Sequence, residues 1–267
     1  EEARVLAGGH SLIPMMKLRM ASPEHLIDLS AIGDLKGIYV EADTIKIGAM
    51  TTQYELMQSD TLAKHLPIIA ETSQVIADPQ IRYKGTFGGN VANGDPGNDM
   101  PALMQCLNAS YELTGPNGAR RAAAREFYQG AYCTALEPGE ILTAVHIPVP
   151  VKGHGYAYEK LKRKVGDYAT AAAAVIITMS GGICTSASIG LTNVSDTPLW
   201  AEEASSILVG SSLDKATVDR AVAAAEAITD PASDMRGMPF SRAAVCHNRG
   251  DRGSGRADGR QIVDEHG

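Results

Sequence analysis

Short apolar runs alternate with glycine- and asparagine-rich breaks along this chain, and the spacing within each run predicts its element. Residues 4–7 form a brief apolar stretch ending on Gly8-Gly9, which predicts a strand feeding a turn. Ser11 stands where a helix cap belongs, ahead of a helix over 12–19 with Pro14 in its first turn. Residues 25–29 read as a strand, and 37–40 with 44–48 alternate apolar and polar about an acidic turn, the pattern of a hairpin. A helix starts at Thr51 or Thr52, and residues 62–75 carry apolar side chains at helical spacing. Residues 78–98 show little period and are dense in Gly, Asn, Asp and Pro. A loop that long between firm elements is expected to be functional. Asp99, a natural N-cap, opens a helix through 108, followed by a strand over 110–114 and a turn at 115–118.

Residues 147–151 are extended and proline-rich, as at a domain boundary. Beyond them, 155–161, 169–179 and 186–191 read as three strands of one sheet, and 201–209 and 213–228 as two helices. Strands first and helices afterwards predict an α+β domain. The expected division is therefore 1–150, 151–245 and a polar, glycine- and arginine-rich tail over 246–267 with the composition of a disordered segment. The opening residues read as the middle of a structural unit and lack an initiating Met, so the natural chain is expected to extend upstream.

Composition narrows the function by exclusion. A 267-residue chain with 44% hydrophobic and 21% charged residues is long enough for two cores. A net charge of −7 without a lysine or arginine stripe argues against nucleic acid as a partner. Cys106, Cys133, Cys184 and Cys246 are scattered and form no C-x-x-C pair, so they spell neither a zinc nor an iron–sulfur site. They read as buried small hydrophobes in a reducing cytoplasm. No apolar run approaches the roughly 20 residues of a membrane span, and no secretory signal is present, so a cytoplasmic location is expected. Neither a nucleophile–base pair nor a carboxylate pair stands out, which points to a cofactor holder rather than a hydrolase.

The candidate chemistry lies in two glycine turns about eighty residues apart in the chain, Gly8-Gly9 and Gly88-Gly89. Glycine lets the main chain approach a ligand closely, and free amides at a turn before a helix suit a phosphate. Two such turns are what gripping a dinucleotide's diphosphate from opposite sides requires. His10, Ser11, Thr86 and Asn90 add short side-chain donors, and Asn93, Asp95 and Asp99 follow at spacings that can turn them toward one ligand. The run Lys160-Leu161-Lys162-Arg163-Lys164 reads by default as a solvated face, although a cation or the Tyr168 ring beside a flavin would tune its redox state.

These residues carry a resemblance. Ala7-Gly8-Gly9-His10-Ser11-Leu12-Ile13-Pro14, Ile47-Gly48-Ala49-Met50-Thr51-Thr52, Gly85-Thr86-Phe87-Gly88-Gly89-Asn90 and the stretch over 158–171 are similar to the flavin-binding medium subunits of molybdenum-containing hydroxylases. The last stretch is similar to the carbon monoxide dehydrogenase branch, and the likeness runs to about Val245. The resemblance implies an α+β fold: an FAD-binding domain of the vanillyl-alcohol-oxidase/p-cresol-methylhydroxylase type with two α+β subdomains, then a smaller α+β flavoprotein domain. It implies FAD as cofactor. The diphosphate would be held by Ala7, Gly8, Gly9, His10 and Ser11 and by Thr86, Phe87, Gly88, Gly89 and Asn90, with Asn93 nearby. Asp99 would contact the ribityl chain or ring edge, and Lys160 and Tyr168 would lie near the isoalloxazine.

The resemblance further implies a small subunit with two [2Fe–2S] clusters, a large molybdenum subunit, assembly as a dimer of heterotrimers, and an external electron acceptor. It implies a cytoplasmic complex, with association at the inner membrane face as the further expectation. An aldehyde, xanthine or nicotine hydroxylase subunit, or a scaffold that has lost its flavin, remain alternatives. Three departures stand out: the missing opening βα piece, Phe87 where a smaller aliphatic residue is usual, and a loss of likeness after Arg236-Gly237. The last suggests an altered reading frame and an absent C-terminal helix.

Overall fold

The computed structural model describes residues 2–232 of the chain. Its first unit is β1 (Ala3–Leu6), α1 (Leu12–Lys17) and β2 (His25–Asp28), with β1 and β2 paired in parallel. The hairpin of β3 (Ile38–Glu41) and β4 (Thr44–Gly48) follows as expected. Six helices come next: α2 (Gln53–Met57), α3 (Asp60–His65), α4 (Pro67–Val75), α5 (Pro79–Arg82), α6 (Phe87–Ala92) and α7 (Asp99–Cys106). Thr52 settles the start of α2 with a capping box, its hydroxyl accepting from the Glu55 amide while the Glu55 carboxylate accepts from the Thr52 amide. The apolar run over 62–75 is two helices rather than one, because Pro67 cannot continue α3 and instead opens α4.

The chain then enters β5 (Ser110–Gly115), β6 (Gly118–Ala123), β7 (Tyr128–Gly130), β8 (Cys133–Thr134) and β9 (Ile141–Pro148). A five-stranded antiparallel sheet is ordered β3-β4-β9-β5-β6. Alternate residues on one face, Ile45, Ile47, Tyr111, Leu113, Val145 and Ile147, pack into one core with side chains of α2, α4, α6 and α7. Ile147 and Pro148 thus belong to a strand inside the sheet, not to the boundary segment expected there. The two prolines mislead because Pro148 sits at the strand's last position, where its missing N–H costs the ladder little.

A second antiparallel sheet is ordered β10 (Gly155–Leu161), β11 (Ala171–Ser180), β12 (Ile183–Thr192) and β13 (Leu199–Trp200). The helices α8 (Glu202–Leu208) and α9 (Lys215–Ala227) pack on it through Ala204, Leu208, Ala221 and Ala225. This is the α+β arrangement expected beyond 151. The expectations for 236 onward, including the disordered tail and the absent helix, lie outside the described residues.

Cys106 and Cys184 are buried as expected, and burial pushes the Cys106 thiol up to about 12. Cys133 departs from the expectation: it is exposed on β8. Cys246 lies outside the described residues.

Candidate cofactor site

The first glycine turn ends β1 and opens α1. Gly9 adopts φ +78°, a backbone conformation that favours glycine. Ile13 N donates to Gly9 O and Met15 N to Ser11 O, whereas the amides of Gly8, Gly9, His10 and Ser11 donate to no group among the described residues. Ser11 takes the N-cap position but its hydroxyl makes no capping bond, contrary to expectation, and so stays available.

Gly8 lies against the second glycine segment. A Cβ there would overlap the Lys84 carbonyl oxygen and sit 2.8 Å from Gly85 Cα. The positions a Cβ would take on Gly85 and Gly89 are 3.8 Å from His10 Cδ2 and 3.7 Å from Ala7 Cβ. Folding therefore brings the two turns side by side.

The second segment differs from the expected open nest of amides. Residues 78–98 are not a continuous loop; they contain α5 and α6, with Gly88 and Gly89 inside the latter. Phe87 N donates to Thr51 O at 2.8 Å and Gly88 N to Ala49 O at 2.8 Å. Gly89 N donates to Thr86 Oγ1 at 3.1 Å and Asn90 N to Thr86 O at 3.1 Å. These four donors are spent inside the protein. Phe87 is fully buried in the core, which explains how its bulk is accommodated and also removes its ring from any ligand. Gly88 is small because α6 rests on Ala49: a Cβ would overlap the Ala49 side chain. What this segment can still offer is the Thr86 hydroxyl proton and the Asn90 carboxamide nitrogen, since Asn90 Oδ1 accepts from Met100 N at 3.3 Å.

Asn93 follows α6 half-buried, and no partner for its side chain is found among the described residues. Asp95 Oδ1 accepts from Gly97 N at 2.9 Å, and Asn98 Nδ2 donates to Asn90 O at 2.8 Å. The N-cap of α7 is Asn98 rather than Asp99. Asp99 is instead the first residue of that helix, and its carboxylate points toward β10. Tyr158 Oη donates to its Oδ1 at 2.5 Å and Lys160 Nζ to its Oδ2 at 2.8 Å.

The Lys160 and Asp99 side chains retain 3% and 5% of their exposure, so Lys160 is no part of a solvated face. Burial pushes the Asp99 carboxyl up, against the opposing pull of the Lys160 charge and of its bonds to Lys160 and Tyr158. Burial, and then the Asp99 charge, push the Tyr158 phenol well above its ordinary value, so it remains the donor. The rest of the basic run divides: Arg163 pairs with Asp167 at 2.9 Å, while Lys164 and Val165 are exposed. Tyr168 is exposed, and its Cδ1 lies 3.3 Å from where a Gly97 Cβ would stand.

The structure thus brings Ala7 to Ser11 against Gly85 to Asn90, and ties that pair through Asn90 to the segment carrying Asp95, Asp99 and the Tyr168 contact. Tyr158 was missed by sequence reasoning. Its signal was the alternation of Tyr156, Tyr158 and Lys160 on a single strand, which puts all three on one face. Among the described residues no three His, Cys, Asp or Glu side chains gather as for a metal ion.

The sequence profile of the FAD binding domain in molybdopterin dehydrogenase matches residues 1–150. That of the CO dehydrogenase flavoprotein C-terminal domain matches residues 156–249, past Arg236-Gly237, where the likeness was expected to fade. The carbon monoxide dehydrogenase medium chain of Afipia carboxidovorans is 73% identical over 237 residues, covering 89% of this chain and 82% of that protein. The medium chain from Hydrogenophaga pseudoflava is 49% identical over 236 residues, covering 88% and 82%. A solved structure of reconstituted CO dehydrogenase from Oligotropha carboxidovorans superposes with a TM-score of 0.95 at 68% identity, covering 98% of this chain and 91% of that one. The chain belongs to the FAD-binding family of molybdopterin dehydrogenases and carries the CO dehydrogenase flavoprotein C-terminal domain.

Proposed function

We propose that this chain is the FAD-carrying, electron-transferring medium subunit of a molybdenum hydroxylase that oxidises carbon monoxide. The observation that carries the proposal is the cradle at Gly8 to Ser11: four unspent main-chain amides, held by close contact of Gly8 with the Lys84–Gly85 backbone. Such a donor set fits a diphosphate, because unspent main-chain amides stabilise an anion without a buried counter-charge. When bound, FAD supplies the exchange of electrons between the [2Fe–2S] clusters of a small subunit and an external acceptor.

Each residue has a part. Ala7 keeps the turn close to Gly89, and the amides of Gly8, Gly9, His10 and Ser11 bind the diphosphate. The His10 and Ser11 side chains add donors from the same turn, and Thr86, Asn90 and Asn93 add them from the facing segment. Gly88 and Phe87 act indirectly, by seating α6 on Ala49 and in the core. The Asp99–Lys160 pair fixes the far end of the site, where Tyr168 lies against Gly97. Identity of 73% to a carbon monoxide dehydrogenase medium chain supports carbon monoxide as the substrate of the complex, oxidised on a large molybdenum subunit. The reading includes a dimer of heterotrimers, cytoplasmic and peripheral at the inner membrane face. No helix among the described residues is long and apolar enough to cross a membrane.

Co-purification from the source cell tests this directly. The expected result is molybdenum, iron and flavin in one assembly, with flavin in proportion to this chain and dye reduction driven by carbon monoxide. An assembly that holds molybdenum and iron but no flavin would overturn the cofactor assignment. Turnover of an aldehyde or a nitrogen heterocycle in place of carbon monoxide would move the substrate to the alternative class.

A further inference from the structure

Three side chains on one face of β10, with Lys162 just past its end, reach across to the helices of the first domain. Tyr156 Oη donates to Glu71 Oε1 at 3.0 Å, and Tyr158 Oη to Asp99 Oδ1 at 2.5 Å. Lys160 Nζ donates to Asp99 Oδ2 at 2.8 Å and to Val75 O at 3.3 Å, and Lys162 Nζ to Val75 O at 3.3 Å. Glu71 and Val75 lie on α4, away from the glycine turns in the chain. Asp99 alone belongs to the segment that continues the candidate site. That segment is tied to Asn90 by Asn98 Nδ2 and Met100 N, and is touched by Tyr168 at Gly97.

We propose that Tyr158 is a positioning residue of the cofactor site: by donating to Asp99 it holds that carboxylate on Lys160 and so fixes residues 95–99 between Asn90 and Tyr168. This rests on the FAD reading above and assigns a role to a residue outside the two glycine turns.

The physical argument concerns a buried charge. A carboxylate shielded from water keeps its charge only while enough donors meet it. Those facing Asp99 are Tyr158 and Lys160, with the Lys162 charge contributing from just past the end of β10. The groups on α4 do not add another: Glu71 is turned to Tyr156, and Val75 offers only its carbonyl. Burial already favours the protonated acid, so removing the tyrosine O–H moves protonation toward neutral pH. Protonated Asp99 no longer holds the Lys160 ammonium by charge, and the 95–99 segment is released from β10.

The experiment uses the purified heteromeric complex, stepped from neutral into acid, with released flavin read by fluorescence of the filtrate. Tyr158→Phe is expected to release flavin at a pH about one unit higher than the wild type. Tyr156→Phe removes the neighbouring bond on the same strand face and is expected to follow the wild-type profile. Asp99→Asn cannot ionise and is expected to lose the acid-dependent step. Equal shifts in the two tyrosine variants, or an unmoved profile in Tyr158→Phe, would overturn the inference and leave the cofactor reading intact. Should Tyr158→Phe fail to assemble, a wild-type acid profile in Asp99→Asn would overturn it instead. A wild-type complex without flavin at any pH would overturn the cofactor reading, and this inference with it.

Discussion

Gly8 and Glu112 show how much single residues decide here, one by its size and the other by its charge. No side chain fits at Gly8, because the Lys84 carbonyl occupies the place of a Cβ. Gly8→Ala should therefore push the first turn off the second segment, at a cost of about 1–3 kcal/mol for overpacking. Flavin retention on gel filtration should fall about fivefold or more by the same measure. A variant that folds with full flavin would refute the convergence of the turns as the basis of binding.

Glu112 lies on the face of the first sheet opposite the core. Burial raises its carboxyl, but the bonds from His146 and Thr143 and the Lys46 charge outweigh this and hold it below the ordinary glutamate value. Arg121 can only donate, so the 3.1 Å contact makes His146 Nδ1 an acceptor and leaves Nε2–H to donate to Glu112 at 2.9 Å. A depressed folded value means that the unfolded chain takes up the proton first as pH falls. Glu112 thus adds stability above the unfolded glutamate value, and the contribution fades as pH drops through the lower folded one. Thermal midpoints below about pH 4.3 should fall less steeply in Glu112→Gln than in the wild type. Parallel curves would dismiss the network as a source of acid sensitivity.

The elements show where the sequence was legible and where folding hid it. β10 was readable by its alternation and β11 by its continuous apolar run, and the first turn was readable because Gly9 requires a left-handed φ. The second glycine pair was not. Two glycines are poor helix formers, and α6 exists only because Thr86 caps it and Ala49 receives it. No local pattern announces that docking. β6, Gly118–Ala123, was equally hidden: an edge strand carrying Arg120 and Arg121 has no apolar alternation and is recognisable only by its pairing with β5. The Asp99–Tyr158 bond joins residues 59 apart in the chain, so Asp99 could be nominated while its tyrosine partner could not. The dependence of α6 on its cap can be tested. Thr86→Ala should cost about 1 kcal/mol in denaturant unfolding, with most of the loss recovered by Thr86→Ser. No loss in the alanine variant would mean that the Ala49 contact alone holds the helix.

At the scale of the whole molecule, the division near residue 150 is a change of sheet rather than a gap between cores. Ala174 of β11 lies in the same buried cluster as Ile45, Phe87 and Val145, with Tyr156, Tyr158 and Ile176 packed against it. α7 is the common element. Gln105 Nε2 donates to Pro198 O at 3.1 Å, and Cys106 Sγ donates to Ser188 O at 3.2 Å. Arg125 donates to Gln105 O at 3.1 Å and stacks on Trp200 at 3.5 Å. Gly190 on β12 sits so close to α7 that a Cβ would overlap the Ala102 carbonyl oxygen. The second sheet grips α7 this tightly, and α7 shares the buried core of the first, so the two should melt together. Gly190→Val fits a strand by propensity, so its cost would come from the clash alone, about 1–3 kcal/mol or more. Calorimetry of the purified chain should then show one transition displaced downward as a whole, by about 2–4 °C for each kcal/mol lost. Two separate transitions, with only the later residues' unfolding moved, would establish independent domains and leave the site spanning a hinge rather than a common core.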